Sequence, residues 1–122
     1  MRRFGLLRWL FAAAVLVTAA ATPGCASKAP EPTVFRYEVP LGTRRLTLTN
    51  RAPVIFPSEL VVRVGDSIVI VNEDDYDIDV GPYRVMAHST LRQRFSSPGE
   101  LSGSCSVAAG GELTVRILPK TA

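Results

Sequence analysis

Short runs of alternating apolar and polar residues, each closed by turn residues, dominate the chain from residue 33 onward. Alternation with a period of two places successive side chains on opposite faces of a β-strand. No run of helical period follows the N-terminal segment. Eight or so short strands at close spacing predict an all-β domain, an antiparallel Greek-key β-sandwich.

The predicted strands are bounded mostly by Gly, Pro, Asn and Ser. They cover residues 33–39, 46–49, 60–64, 67–71, 78–80, 83–86, 91–95, 100–107 and 113–118. The pair Gly65-Asp66 suits a tight turn, so we expect the strands on either side of it to form a β-hairpin.

The first 24 residues differ in composition from the rest. Residues 1–8 carry three arginines and no acid, and residues 9–21 are apolar. That run is too short to span a bilayer comfortably, and small residues follow it, as in a secretory signal. Gly24-Cys25 resembles the end of a bacterial lipoprotein signal, in which the cysteine is lipidated, although Thr22 and Pro23 depart from the usual pattern. A cleaved signal without lipid and an uncleaved anchor are the alternatives.

These features predict three segments. Residues 1–24 form a helical lipoprotein signal peptide, residues 25–32 a flexible, proline-rich linker, and residues 33–122 the β-sandwich. A diacyl anchor at Cys25 would hold the domain to a membrane, on the extracytoplasmic side of the bacterial cell envelope. The expected partners are this membrane and an envelope protein of unknown identity.

The charge of the chain does not indicate nucleic-acid binding. Its net charge of +3 comes from 14 basic and 11 acidic residues, and three of the basic residues belong to the signal. The remainder holds eleven of each, without a basic stripe.

Cys25 and Cys105 are the two cysteines of the chain. If Cys25 is lipidated, Cys105 is a lone thiol; if it is not, the two could form a disulfide. As a lone thiol, Cys105 is interpreted as a buried, small apolar side chain, with a redox-active thiol as the alternative.

From residue 57 to residue 118 the chain resembles a cupredoxin, the sandwich of small blue-copper proteins. The resemblance rests on the order of several short motifs. These are Pro57-x-x-Leu60-x-Val62-x-Val64-Gly65-Asp66, Ile68-x-Ile70-x-Asn72-x-Asp74, Phe95-x-x-Pro98-Gly99 and Cys105. The earlier Pro40-Leu41-Gly42-Thr43 also fits such domains.

The resemblance implies a copper site of two imidazoles, one thiolate and a weak thioether. The first imidazole position corresponds to Ile78 and the second lies near Ala108, while Cys105 keeps the thiolate. Two of the three strong ligands and the axial Met are therefore missing, and the resemblance implies a copper site that has degenerated. Alternation further predicts that Ile78 points to the core and the flanking Asp residues point outward.

Two weaker metal sites are alternatives. His88, the only histidine, could form a rebuilt soft-metal site with Met86 and Cys105, but a polar loop residue is the interpretation we favour. Asp75, Asp77 and Asp79 could bind a hard cation such as Ca²⁺. We favour a solvated acidic loop for them, because the Gly and the bidentate Glu of an EF-hand loop are absent. We expect some of these acids to pair with Arg84, Arg92 or Arg94.

The residues show no nucleophile–base pair, so an enzyme is not expected. The sequence predicts a membrane-anchored envelope lipoprotein whose cupredoxin-like domain has lost copper, binds no cofactor, and acts as a binding or structural module. The alternative is an extracytoplasmic copper-binding or electron-transfer protein with an altered site at Cys105.

Overall fold

The computed structural model describes residues 30–121. The predicted signal peptide, Cys25 and most of the predicted linker lie outside this part of the chain. Within residues 30–121, no helix has the length and apolar character needed to cross a bilayer.

Eight strands and one short helix follow one another along the chain. They are β1 (Val34–Val39), α1 (Thr43–Leu48), β2 (Glu59–Arg63), β3 (Ser67–Asn72), β4 (Ile78–Val80), β5 (Tyr83–Val85), β6 (Thr90–Arg94), β7 (Gly99–Ser104) and β8 (Glu112–Leu118). A 3₁₀ turn at Ala109–Gly111 precedes β8. The predicted strands are confirmed within a few residues at each end, with one exception described below.

The strands form two layers. One sheet has the order β1-β3-β6, and the other has the order β2-β8-β7. The hairpin of β4 and β5 joins the second layer through an antiparallel bridge between Val80 and Cys105. Side chains from both layers point inward and form one core. β2 and β8 bury every second side chain, whereas β3 buries Ile68, Val69 and Ile70 in succession. The predicted all-β sandwich is confirmed.

Strand directions are mixed, whereas the sequence predicts antiparallel pairing throughout. β1 runs parallel to β3, and β2 runs parallel to β8. The other three pairings are antiparallel. Periodicity indicates which face of a strand is apolar, but it does not indicate the direction of the neighbouring strand.

The predicted hairpin at Gly65-Asp66 is wrong. β2 pairs with β8 and β3 pairs with β1 and β6, so the turn carries the chain from one layer to the other. Asp66 fixes this crossing, because its carboxylate accepts hydrogen bonds from the backbone N–H groups of Arg63 and Thr33, both at 2.8 Å.

The strand predicted at residues 46–49 is also wrong, since α1 occupies this position. The Asp74 carboxylate accepts hydrogen bonds from the N–H groups of Gly42 at 3.1 Å and Arg44 at 2.7 Å, which are free donors at the start of the helix. Alternating Leu46 and Leu48 are both exposed. A contact from 30 residues away therefore overrides the local alternation.

The sandwich has two ends that differ in character. We call the end that holds α1, Asp74, Ile78 and Ser106 the cleft end. The opposite end holds Thr33, where the chain enters β1, and we call it the linker end.

Candidate functional site

The three positions that the resemblance assigns to copper ligands lie at the cleft end. Ile78 begins β4 and packs, half-buried, against the core. Cys105 directly follows β7, and Ala108 closes a turn by donating its N–H to the Cys105 carbonyl at 3.1 Å. Ala108 is also bridged to Phe56, so the fold fixes this turn from two sides.

Cys105 is enclosed in the core, with 1% of its surface exposed. Burial raises the pKa of its thiol, although backbone N–H groups, led by that of Val107, partly oppose the shift. The neutral thiol is therefore the favoured form at neutral pH. This agrees with the interpretation of Cys105 as a small apolar core residue.

The donor set at these positions does not fit copper. A soft-metal site needs several nitrogen and sulfur donors converging on one point, and the Ile78 and Ala108 side chains supply none. Among residues 30–121, no group of three or more His, Cys, Asp or Glu side chains is arranged to hold a metal ion.

Met86 and His88 lie at the surface and do not join Cys105 in the core. The His88 side chain is 62% exposed, and its Nε2 lies 2.7 Å from Asp75 Oδ1. His88 has a left-handed backbone, with φ of 56°, and its N–H donates to the Asp74 carbonyl at 3.2 Å. The ring is thus held against the acidic loop, away from the thiol.

The acidic loop makes contacts with cations and backbone donors. Arg84 lies 3.2 Å from Asp79 and 3.6 Å from Asp77, so one of the three arginines expected to pair with these acids does so. Asp77 also accepts a hydrogen bond from the N–H of Ala87 at 2.9 Å. Asp77 and Asp79 thus share Arg84, while Asp75 contacts His88.

Two buried polar residues organise the cleft end. The Asn72 side-chain amide donates to the carbonyls of Tyr76 at 2.8 Å and of Val85 and Met86 at 3.2 Å, while its oxygen accepts from the N–H of Asp74. One side chain therefore holds two loops together. Sequence reasoning used Asn72 only as part of a family motif and missed this role; a polar residue ending an otherwise apolar strand was the available signal.

Asp74 is the second of these residues and is 4% exposed. Burial acts to raise the pKa of its carboxyl. Hydrogen bonds from the N–H groups of Arg44, Gly42 and Asp75, with the nearby His88, act against burial, and the pKa lies below its usual value. The carboxylate form is thus part of the structure of the cleft end.

A polar cleft of about 340 Å³ opens at this end. Ile78 lines it, whereas Cys105 lies beneath it in the core. Its other lining side chains come from α1, the acidic loop, β4, β5, the end of β7 and the segment that follows β7. They include Arg44, Thr47, Asp77, Asp79, Arg84, Ser104 and Ser106. The cleft offers hydrogen-bond donors and acceptors, with Ile78 as its aliphatic lining residue.

Comparison with solved structures finds several copper proteins at low identity. A purple cupredoxin from Nitrosopumilus maritimus is 17% identical, with a TM-score of 0.41 over 68% of this chain and 98% of that one. A copper-containing nitrite reductase from Thermus scotoductus SA-01 is 22% identical, with a TM-score of 0.39 over 75% of this chain and 24% of that one. Amicyanin in a Cu(I) form is 14% identical, with a TM-score of 0.38 over 75% of this chain and 87% of that one.

No family model matches this chain, and no curated protein sequence matches it. At the identities and TM-scores of the solved structures, their copper chemistry carries no argument about this chain. The strand pairings themselves define a two-layer β-sandwich. This two-layer β-sandwich is the fold class that the sequence predicts.

Proposed function

We propose that this chain is a lipid-anchored protein of the bacterial cell envelope whose cupredoxin-like domain has lost copper binding and acts as a binding or structural module without catalysis. The proposal rests on which side chains occupy the three positions that the resemblance assigns to copper ligands. Cys105 is the one donor left there, and it is buried in an apolar core beneath Ile78. A buried neutral thiol without imidazole neighbours has little hold on copper.

Exposed apolar side chains at the cleft end support a role in protein binding. Leu41 and Tyr76 are 65% and 59% exposed, and Met86 is 64% exposed. Each lies on one of the segments that Asp74 and Asn72 tie together. Large apolar groups grouped on a surface are a feature of protein interfaces.

A copper titration tests the loss of copper binding. We expect Cu(II) added to the purified full chain to give no thiolate-to-copper absorption band and no rise in melting temperature. Cys105→Ala is the matched control, since it removes the sulfur and leaves the acidic loop and His88 in place. A band in the wild type that is absent from this variant would contradict the proposal and establish the copper-binding or electron-transfer alternative.

The anchor is tested separately by the intact mass of the protein extracted from bacterial membranes. We expect the chain to begin at Cys25 and to carry fatty acyl groups, and we expect Cys25→Ser to prevent both changes. A mature protein without acyl groups would contradict lipid anchoring and leave the copper result unaffected.

A further inference from the structure

The linker end of the sandwich fixes the place where the anchored segment enters the fold. The N–H of Thr33 donates to Asp66 Oδ1 at 2.8 Å, and the Thr33 carbonyl accepts from the N–H of Ser67 at 3.0 Å. The Asp66 carboxylate also accepts from the N–H of Arg63. The chain preceding β1 therefore leaves from this end.

The length of that segment limits how far this end can stand from a membrane. Seven residues separate Cys25 from Thr33, and two of them are prolines. An extended proline-rich segment spans about 3.1 Å per residue, so the reach is roughly 25 Å. A domain tethered this closely samples contact with the lipid surface continually, and the linker end is the part nearest to the anchor.

Exposed basic side chains gather at this end. Arg63, Arg94 and Lys120 line one groove of about 500 Å³ beside the entering segment, with Glu31 as the exposed acid. Asp66 also lines it, but that carboxylate is buried and faces backbone N–H groups. The exposed charges at the rim are thus mainly positive, which suits an anionic surface.

The groove also has apolar walls. Phe35, Val61, Val64 and Leu118 line it, and Val61 is 47% exposed. Basic groups around an apolar floor match the interface of a bilayer, in which charged headgroups lie above acyl chains.

We propose that the linker end docks on the anionic headgroups of the membrane that holds the anchor, through Arg63, Arg94 and Lys120. This docking points the cleft end away from the membrane, into the surrounding aqueous compartment. The inference rests on the proposed lipid anchoring, because the tether supplies the high local concentration that makes three basic groups sufficient.

Hydrogen exchange of the full processed chain in lipid nanodiscs tests this docking. One set of discs contains phosphatidylcholine alone, and the other contains phosphatidylcholine and phosphatidylglycerol in equal parts. We expect the backbone amides around Gly65 to exchange at least about five times more slowly on the anionic discs than on the neutral discs. Each basic side chain near an anionic surface contributes about a fivefold factor to the binding equilibrium. Added salt should reduce the difference.

Charge variants provide the matched comparison. The triple variant Arg63→Gln, Arg94→Gln and Lys120→Gln should exchange at the same rate on both kinds of disc. The triple variant Arg44→Gln, Arg45→Gln and Arg51→Gln removes equal charge from exposed residues outside the groove and should behave as the wild type. Loss of the difference in both variants would show a general charge effect and would overturn the assignment to this end.

Two further outcomes would overturn the inference, and intact mass distinguishes one from the other. Intact mass shows whether Cys25 carries lipid; a chain without lipid that leaves the discs contradicts both the anchor and the docking. A lipidated chain with equal exchange on both discs contradicts the docking alone. Protection of the linker end in whole envelopes, but not on discs, would assign the groove to a protein partner instead.

Discussion

At the scale of single residues, two buried polar side chains determine the shape of the cleft end. Asn72 and Asp74 are 1% and 4% exposed, yet each makes several hydrogen bonds to backbone groups of distant segments. A buried polar group costs free energy unless it is paired, and pairing with backbone gives it one preferred arrangement. These residues thus specify loop conformations that apolar contacts alone would leave open.

Asp74→Asn should destabilise the protein in a manner that depends on pH. We expect a loss of about 1–3 kcal/mol at pH 7, because the amide presents an N–H₂ group to backbone donors that now face a carboxylate. Folding lowers the pKa of Asp74 below its usual 3.8, so its contribution is complete above that pH and is lost as pH falls through the folded-state pKa. The difference between wild type and variant should therefore shrink in strong acid.

Urea unfolding at a series of pH values measures this effect. Asp79→Asn is the control, since Asp79 is 58% exposed and its ion pair with Arg84 lies in water. A difference between wild type and Asp74→Asn that stays constant down to the lowest pH would show that the charge of Asp74 does not matter for stability.

At the scale of elements, β4 and β7 approach one another more closely than side chains allow. A Cβ atom placed at Gly103 would overlap the carbonyl oxygen of Gly81. Gly81 itself has φ of 57°, a left-handed conformation that suits glycine. This close approach of two glycines lets the β4–β5 hairpin join the second layer.

Gly103→Ala should separate these two strands and destabilise the protein by about 1–3 kcal/mol, because the overlap is with backbone and cannot be relieved by a side-chain rotation. Ser102→Ala, on the exposed face of the same strand, is the control and should change stability little. Thermal unfolding of both variants measures the difference. Equal melting temperatures would mean that the contact between β4 and β7 tolerates a side chain.

At the scale of the whole molecule, Cys105 lies where the two layers and the β4–β5 hairpin meet. This residue is 1% exposed, so we expect reagents to reach the sulfur only when the surrounding core opens. The thiol is therefore a natural probe of unfolding, and its reactivity also reports how completely the core encloses the position that the resemblance assigns to the copper thiolate.

We expect the Cys105 thiol of the native protein to react with a maleimide at least about a thousandfold more slowly than in the unfolded chain. An unfolding free energy of about 5 kcal/mol leaves fewer than one molecule in a thousand unfolded, and burial further raises the pKa of the thiol. Mass spectrometry of the peptide that contains Cys105 follows the reaction. The matched control is Ser106→Cys in a Cys105→Ala background, because residue 106 is exposed and lines the cleft. Similar rates for the two thiols in native protein would show an open pocket at Cys105.

The local pattern of the chain predicts its strands well, for a physical reason. Alternation in runs such as VFRYEV and ELTVRIL follows from burying one strand face, so it is visible without knowing the neighbouring strand. The same property predicts the faces of β4, where Asp79 is exposed and Val80 is buried. The alternation does not extend back to Tyr76, which is 59% exposed, because the strand begins only at Ile78.

The sequence by itself therefore determined the all-β class and the approximate strand positions, since each depends on neighbours close in the chain. Only the tertiary structure decided the parallel pairings, the helix at Thr43–Leu48 and the enclosure of Cys105. Those depend on contacts between distant segments, such as Asp74 with Arg44 and Val80 with Cys105. Burial against a distant partner outweighs local propensity when the two disagree, and no local pattern records which partner that is.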